Sequence, residues 1–355
     1  MRVLIINYEM DEKSAVLAWQ AKVAREIARL CEHVLVLTDK LGKFEPAPNM
    51  EVVKLPVRPF GVPRRFGGAR LMNLHVARLC RQHKIDACFI HMVTRWAYML
   101  KPCFSAMRIP VLMWYAHGTV TPELHRALEA TDRVVTSTPE GFRIESEKVR
   151  IIGQGIDTDL FTIPQHNPDS NELVYVGRIS RRKRILLLID VMNEILESEP
   201  GLPIALKAVG PGMTDDDRAY DKELKAKIND YRLSDRVEIT GHMPIAELPS
   251  LYRSAFLHIN VSETGSMDKT VNESLACGCP VLTSNPAFGE LLTGYPDFRI
   301  TDDHPSAIAK QVVKLYKIRN EFDPCELRNL IVGKHDLKSY AAKIVNQLRE
   351  ISERG

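Results

Sequence analysis

Two stretches of this 355-residue chain concentrate residue types suited to holding a polyanion. Ser262-Glu263-Thr264-Gly265-Ser266-Met267-Asp268-Lys269-Thr270-Val271-Asn272-Glu273-Ser274-Leu275-Ala276-Cys277-Gly278-Cys279-Pro280-Val281 reads as a strand end, a polar glycine-containing loop and a helix start, with Gly and Pro before the next strand. A loop feeding a helix N-terminus offers unpaired N–H groups and the positive end of the dipole, which suits a diphosphate. Thr270-x-x-Glu273 equally fits a capping box that needs no ligand, and spacing leaves both readings open. The second stretch, Tyr175-Val176-Gly177-Arg178-Ile179-Ser180-Arg181-Arg182-Lys183-Arg184, also follows a strand and precedes a helix. Arg178 as a fork and Lys183 as a point charge suit one phosphate group. Five cations with no carboxylate among them repel one another unless an anion is present; a solvated basic turn is the plainer alternative.

Two weaker signals accompany these. Trp114-Tyr115-Ala116-His117-Gly118 sets a histidine at a strand end before a glycine, where ligand-facing residues sit, although a lone histidine is more often structural. Ile151-Ile152-Gly153-Gln154-Gly155-Ile156-Asp157-Thr158-Asp159-Leu160-Phe161 is readable simply as a Gly-rich turn leaving a strand.

Regular alternation of strands and helices must position these residues. In the first half the strands are Val3–Tyr8, 34–38, 52–55, 87–91, 111–115 and 134–137. Helical spacing marks 71–82, 99–107 and 122–130, and Ser14 suits the cap of a helix with Val16, Trp19, Val23, Ile27 and Leu30 on one face. The pattern breaks over 157–171, read as a linker, and restarts with strands at 173–176, 204–209, 237–240, 257–261 and 281–284. Helices are expected at 186–196, 222–231, 247–254, 271–277, 308–316 and 337–351. Such alternation implies parallel sheets with right-handed crossovers. The expected fold is therefore α/β: two Rossmann-like, doubly wound domains facing across a cleft. The boundaries are 1–160, 161–336 and a final helix, 337–355, returning to the first domain.

The totals agree with this. The length suits two cores, and 45% hydrophobic with 26% charged residues is a globular composition. No apolar run approaches the roughly 20 residues that span a bilayer. The N-terminus runs into a strand without signal-peptide features, and seven scattered cysteines fit reduced thiols, so a cytoplasmic location is expected. Val52–Ile85 holds no Asp or Glu but contains Lys54, Arg58, Arg64, Arg65, Arg70, Arg78, Arg81 and Lys84, with Phe60 and Phe66 among them. Residues 54–84 suit peripheral contact with the inner face of a membrane or with a lipid-diphosphate acceptor. No nucleic-acid reading module is present.

His-Gly at 117–118, then Gly155-Ile156-Asp157-x-x-x-Phe161, Gly177-Arg178-x4-Lys183 and Glu273-Ser274-Leu275-Ala276-Cys277-Gly278-x-Pro280-Val281, in that order, resemble the family-4 retaining glycosyltransferases of GT-B fold. The resemblance implies transfer of a sugar from a nucleoside-diphosphate sugar to a carbohydrate or lipid-linked acceptor, in polysaccharide or glycolipid assembly. It implies that Glu273 holds the ribose hydroxyls, that Arg178 and Lys183 bind the diphosphate, and that His117 contacts the donor sugar. Backbone amides at Ser266–Asp268 would meet sugar and phosphate. The catalytic set is thus Arg178, Lys183 and His117, and the donor-binding set Gly177, Gly265, Ser266, Met267, Asp268, Lys269, Thr270 and Glu273. No cofactor is expected and no metal, and Asp215-Asp216-Asp217 reads as a solvated loop.

Two departures stand out. The first of the family's paired glutamates is replaced by Gly265, leaving Asp268, or Glu263, to supply the carboxylate. The loop Tyr8–Ser14 lacks the Gly-Gly pair of many relatives. A catalytically inactive nucleotide-sugar binder and a GT-B epimerase or phosphorylase are the alternatives.

Overall fold

Residues alternating between two buried faces become parallel strands. The computed structural model describes residues 1–14, 17–56, 68–163, 169–212, 214–262 and 266–353. It divides into two units, Met1–Gly155 with Leu337–Gly355, and Ile156–Asp336.

In the first unit, β1 (Arg2–Met10), β2 (His33–Leu41), β3 (Met50–Lys54), β4 (Ala87–His91), β5 (Val111–Trp114), β6 (Arg133–Thr136) and β7 (Val149–Ile151) form one parallel sheet in the order β3-β2-β1-β4-β5-β6-β7. Val3 and Ile5 turn to one face and Leu4 and Ile6 to the other, all buried, as the two-residue period of a doubly covered strand demands. The Val3 face is covered by α1 (Trp19–Arg29) and by α12 (Leu337–Ser352). The Leu4 face is covered by α2 (Gly68–His83), α3 (Thr94–Met99), α4 (Lys101–Met107) and α5 (Pro122–Ala130). The last helix therefore crosses back to the first sheet. Its stripe of Leu337, Tyr340, Ala341, Ile344, Val345, Leu348 and Ile351 is buried there, with Tyr340 edge-on to Trp114 at 5.1 Å.

The helix expected over 99–107 is α4, which begins two residues later beside Pro102, whose missing N–H separates it from α3, a helix the sequence reading does not contain. Ser14 does not cap α1, which begins at Trp19; its hydroxyl bonds Glu9 and the Leu17 N–H, and Val16 lies outside the described residues.

In the second unit, β8 (Glu172–Val176), β9 (Ala205–Val209), β10 (Val237–Gly241), β11 (Leu257–Asn260) and β12 (Val281–Thr283) form a parallel sheet in the order β10-β9-β8-β11-β12. Around it lie α6 (Ile185–Ser198), α7 (Asp215–Asp230), α8 (Leu248–Ser254), α9 (Lys269–Ala276), α10 (Pro305–Lys317) and α11 (Pro324–Asn329), sharing one hydrophobic core. Part of the stretch read as a linker is anchored in this unit. Phe161 is buried in its core, and the Arg328 guanidinium donates to the carbonyls of Thr158 and Phe161; 164–168 lie outside the described residues. Asp215-Asp216-Asp217 is not a solvated loop. It is the first turn of α7, where Thr214 and Asp217 make a reciprocal capping box and Asp217 is buried.

Candidate functional site

The order β10-β9-β8-β11-β12 reverses direction between β8 and β11, and in open α/β sheets ligands bind at the carboxyl ends of strands flanking such a switch. Both basic and helix-tip stretches sit there, the first leaving β8 and the second leaving β11. Glycine makes the exit from β8. Gly210, with φ +152°, ends β9, and a Cβ on it would lie 1.8 Å from the Gly177 carbonyl oxygen, so the two strand ends touch through bare backbone.

Arg178 follows directly. Its Nε donates to Asp217 Oδ2 at 3.0 Å and its Nη2 lies 2.8 Å from the same oxygen; the carboxylate is 3% exposed and the arginine side chain 44%. Lys183 is held differently. Its Nζ donates to Asp268 Oδ1 at 2.8 Å, Asp268 Oδ2 at 2.9 Å and Ser262 Oγ at 3.1 Å. An ammonium has three N–H donors, so this set occupies it. Arg181 pairs with Glu223 and Arg184 with Asp303. These clustered cations therefore need no bound anion to offset their repulsion: carboxylates from other elements neutralise four of the five.

Asp268 is the N-cap residue of α9, yet its side chain makes no capping bond. It turns instead to Lys183 and to Asn260 Nδ2, 3.0 Å away. The helix tip consequently keeps its first amides uncapped by that side chain. With Asp268 at the N-cap, Thr270 stands inside the helix, so the Thr270–Glu273 capping box does not form. Glu273, inside the helix, is buried. Burial, then the charge of Glu273, raises the Tyr252 phenol well above its ordinary range; burial pushes the Lys269 ammonium down while Glu273 opposes it. Beneath the loop, fully buried His258 is pushed down to about 3 by burial, against the charge of Asp268, and stays neutral.

Ser266 and Thr270 are partly exposed, while Met267 packs its side chain into the unit's core and leaves only backbone for a ligand. Glu263 and Gly265 lie outside the described residues. His117 belongs to the first unit, just past β5. It is exposed, and its Nδ1 accepts the Thr119 N–H at 3.1 Å, which leaves the neutral ring's proton on Nε2.

Three site-building residues escaped the sequence reading. Asn260 links Asp268 to Thr283, Asn285 Nδ2 holds the Ser266 carbonyl at 2.8 Å, and Asp217 grips Arg178. For Asp217 a signal existed, the Thr214-x-x-Asp217 capping spacing; neither asparagine carried one.

Of the basic stretch, Arg58, Phe60, Arg64, Arg65 and Phe66 lie outside the described residues. Lys54, Arg70, Arg78, Arg81 and Lys84 are exposed, and Leu74 is 59% exposed between the arginines of α2. Among the described residues no helix is long and apolar enough to cross a membrane.

Residues 170–318 match the family model of the glycosyl transferases group 1. The mannosylfructose-phosphate synthase of Agrobacterium fabrum is 25% identical over 43% of this chain and 37% of its own length. The α-monoglucosyldiacylglycerol synthase of Streptococcus pneumoniae is 22% identical over 73% of this chain and 65% of its own. The chain thus spans less than two thirds of these relatives. Among solved structures, HepE of Anabaena in complex with UDP superposes with a TM-score of 0.77 at 16% identity, covering 99% of this chain and all of that one. Sucrose-phosphate synthase of Thermosynechococcus elongatus superposes with a TM-score of 0.76 at 17% identity, over the full length of both. The fold is that of the GT-B glycosyltransferases.

Proposed function

We propose, from a second unit that carries the glycosyl transferases group 1 domain, that this chain transfers a sugar from a nucleoside-diphosphate sugar to an acceptor hydroxyl with retention of anomeric configuration. The observation that carries the reading is a guanidinium and a helix tip whose N-cap side chain makes no capping bond, at the two strand ends of the switch point. Cleaving the anomeric carbon–oxygen bond leaves charge on the β-phosphate. Fixed donors at Arg178 and the first amides of α9 stabilise that charge as it grows, and Lys183 joins them once Asp268 releases it. Glu273 holds the ribose hydroxyls, and Asp268 then accepts from sugar hydroxyls in place of the glutamate missing at Gly265. His117, with its proton on Nε2, donates to the donor sugar.

In this reading Arg178 and Lys183 neutralise the leaving group in place of a metal, so the reaction runs without one. Full activity in excess chelator is the expected outcome; loss restored by magnesium or manganese contradicts it. The acceptor is a carbohydrate or a lipid-linked sugar. The names of the relatives, a sugar-phosphate synthase and a glycolipid synthase, support both. The exposed face of α2 supports contact with an anionic membrane. Equal, negligible sedimentation with anionic and neutral vesicles disposes of that contact.

The fully engaged Lys183 favours a second reading, an inactive nucleotide-sugar binder. A thermal-shift screen across UDP-, GDP- and ADP-sugars, followed by assay of nucleoside diphosphate release, separates the two. A donor raises apparent stability by mass action and is turned over; a binder gives the shift alone.

A further inference from the structure

We propose that Asp217 is a positioning residue for Arg178, gripping one edge of the guanidinium so that the opposite edge is presented to the diphosphate. This rests on the donor site argued above. A guanidinium carries five N–H donors in a rigid plane. Asp217 takes the Nε edge, with contacts of 3.0 Å from Nε and 2.8 Å from Nη2. The end fork, made of Nη1 and the outer N–H of Nη2, is left in the geometry that takes two phosphate oxygens at once.

Asp217 is itself held in place. It is 3% exposed, its Oδ2 also accepts the Thr214 N–H at 3.0 Å, and its N–H donates to Thr214 Oγ1 at 3.2 Å. The capping box of α7 thereby becomes a bracket for a cation leaving a different strand, 39 residues earlier in the chain. The Tyr175 hydroxyl, donating to the Arg178 carbonyl at 3.1 Å, fixes the backbone of the same residue. Side chain and main chain are therefore both oriented before any ligand arrives.

The test measures affinity for whichever of UDP, GDP or ADP the wild-type protein binds best, and for the matching nucleoside without phosphates. Arg178→Ala examines the site itself: if it leaves the ratio of diphosphate to nucleoside affinity unchanged, or if no nucleoside diphosphate binds the wild type, the donor-site reading falls and this inference with it. Given a loss with Arg178→Ala, Asp217→Asn is expected to weaken the diphosphate about tenfold and leave the nucleoside unaffected, the size of misplacing one charge-assisted bond. That loss disappears in the Arg178→Ala background, because Asp217 acts only through Arg178. Thr214→Ala lowers the melting temperature and keeps the ratio. If Asp217→Asn fails to fold, Arg178→Lys decides: it keeps the charge but cannot take the two-edged grip, and is expected to bind the diphosphate as weakly as Arg178→Ala. The inference is overturned if Asp217→Asn leaves the ratio at its wild-type value, if its effect adds to that of Arg178→Ala, or if Arg178→Lys binds like the wild type.

Discussion

Arg178 and Lys183 lie five residues apart in sequence and are both assigned to the diphosphate, yet their surroundings differ. Arg178 shares one edge with a buried carboxylate and keeps the other, with 44% of its side chain exposed. Lys183 is 18% exposed, and its ammonium is enclosed by Asp268 and Ser262. A planar fork can be held and still offer donors; an ammonium held by three acceptors cannot. One cation is ready for a phosphate, and the other must first be released.

The largest effect expected on this contrast comes from the backbone that sets it up. Gly210→Ala forces a Cβ onto the Gly177 carbonyl, 1.8 Å away, and should cost about 3 kcal/mol or more, or displace the turn carrying Arg178. Urea unfolding at wild-type stability would contradict this.

Arg178→Ala removes the ready cation. Donor affinity should fall about tenfold to a hundredfold, the range for one charge-assisted hydrogen bond, as read by calorimetry. A smaller loss than that from Lys183→Ala would reverse the ranking of the two cations.

The enclosed side of the site predicts a pH dependence. His258 is neutral when folded, its pKa pushed from 6.5 to about 3, so the unfolded chain binds more protons between those values. Stability is therefore retained above about pH 6.5 and lost as the pH falls toward 3, by at most about 1.4 kcal/mol per unit. His258→Gln should flatten the slope in urea melts at pH 4 to 7, and an unchanged slope removes His258 from the account.

Asp268→Asn should make the second cation resemble the first, freeing Lys183 and strengthening nucleoside diphosphate binding by about threefold, well under the worth of a full charge-assisted bond. Weaker binding in this variant would mean that the Asp268–Lys183 pair is the binding geometry and not an obstacle to it.

Much of this architecture was legible because period-two and period-3.6 burial impose themselves on local sequence. Ala87–His91 and Pro122–Ala130 have the expected ends, and the stripe of 337–351 marks a helix that must be covered. The placement of Gly177, Arg178 and Lys183 at the exit of β8 was legible too, because strand ends announce themselves by glycine and charge. What neutralises them was not. Asp217, Glu223, Asp268 and Asp303 meet the basic turn through tertiary packing, from 39 to 119 residues away, and no local pattern encodes such a pairing. The Asp215–Asp217 run misled for the same reason: three adjacent carboxylates suggest water, whereas a helix N-terminus and a distant guanidinium account for the buried one.

The most direct measurement is a crystal structure of the protein with the nucleoside diphosphate that stabilises it most. The account predicts phosphate oxygens within about 3.2 Å of the Arg178 end fork and of the first amides of α9, with the Arg178–Asp217 pair intact. A nucleotide bound elsewhere on the molecule, or one bound here with Arg178 turned away from its phosphates, contradicts it.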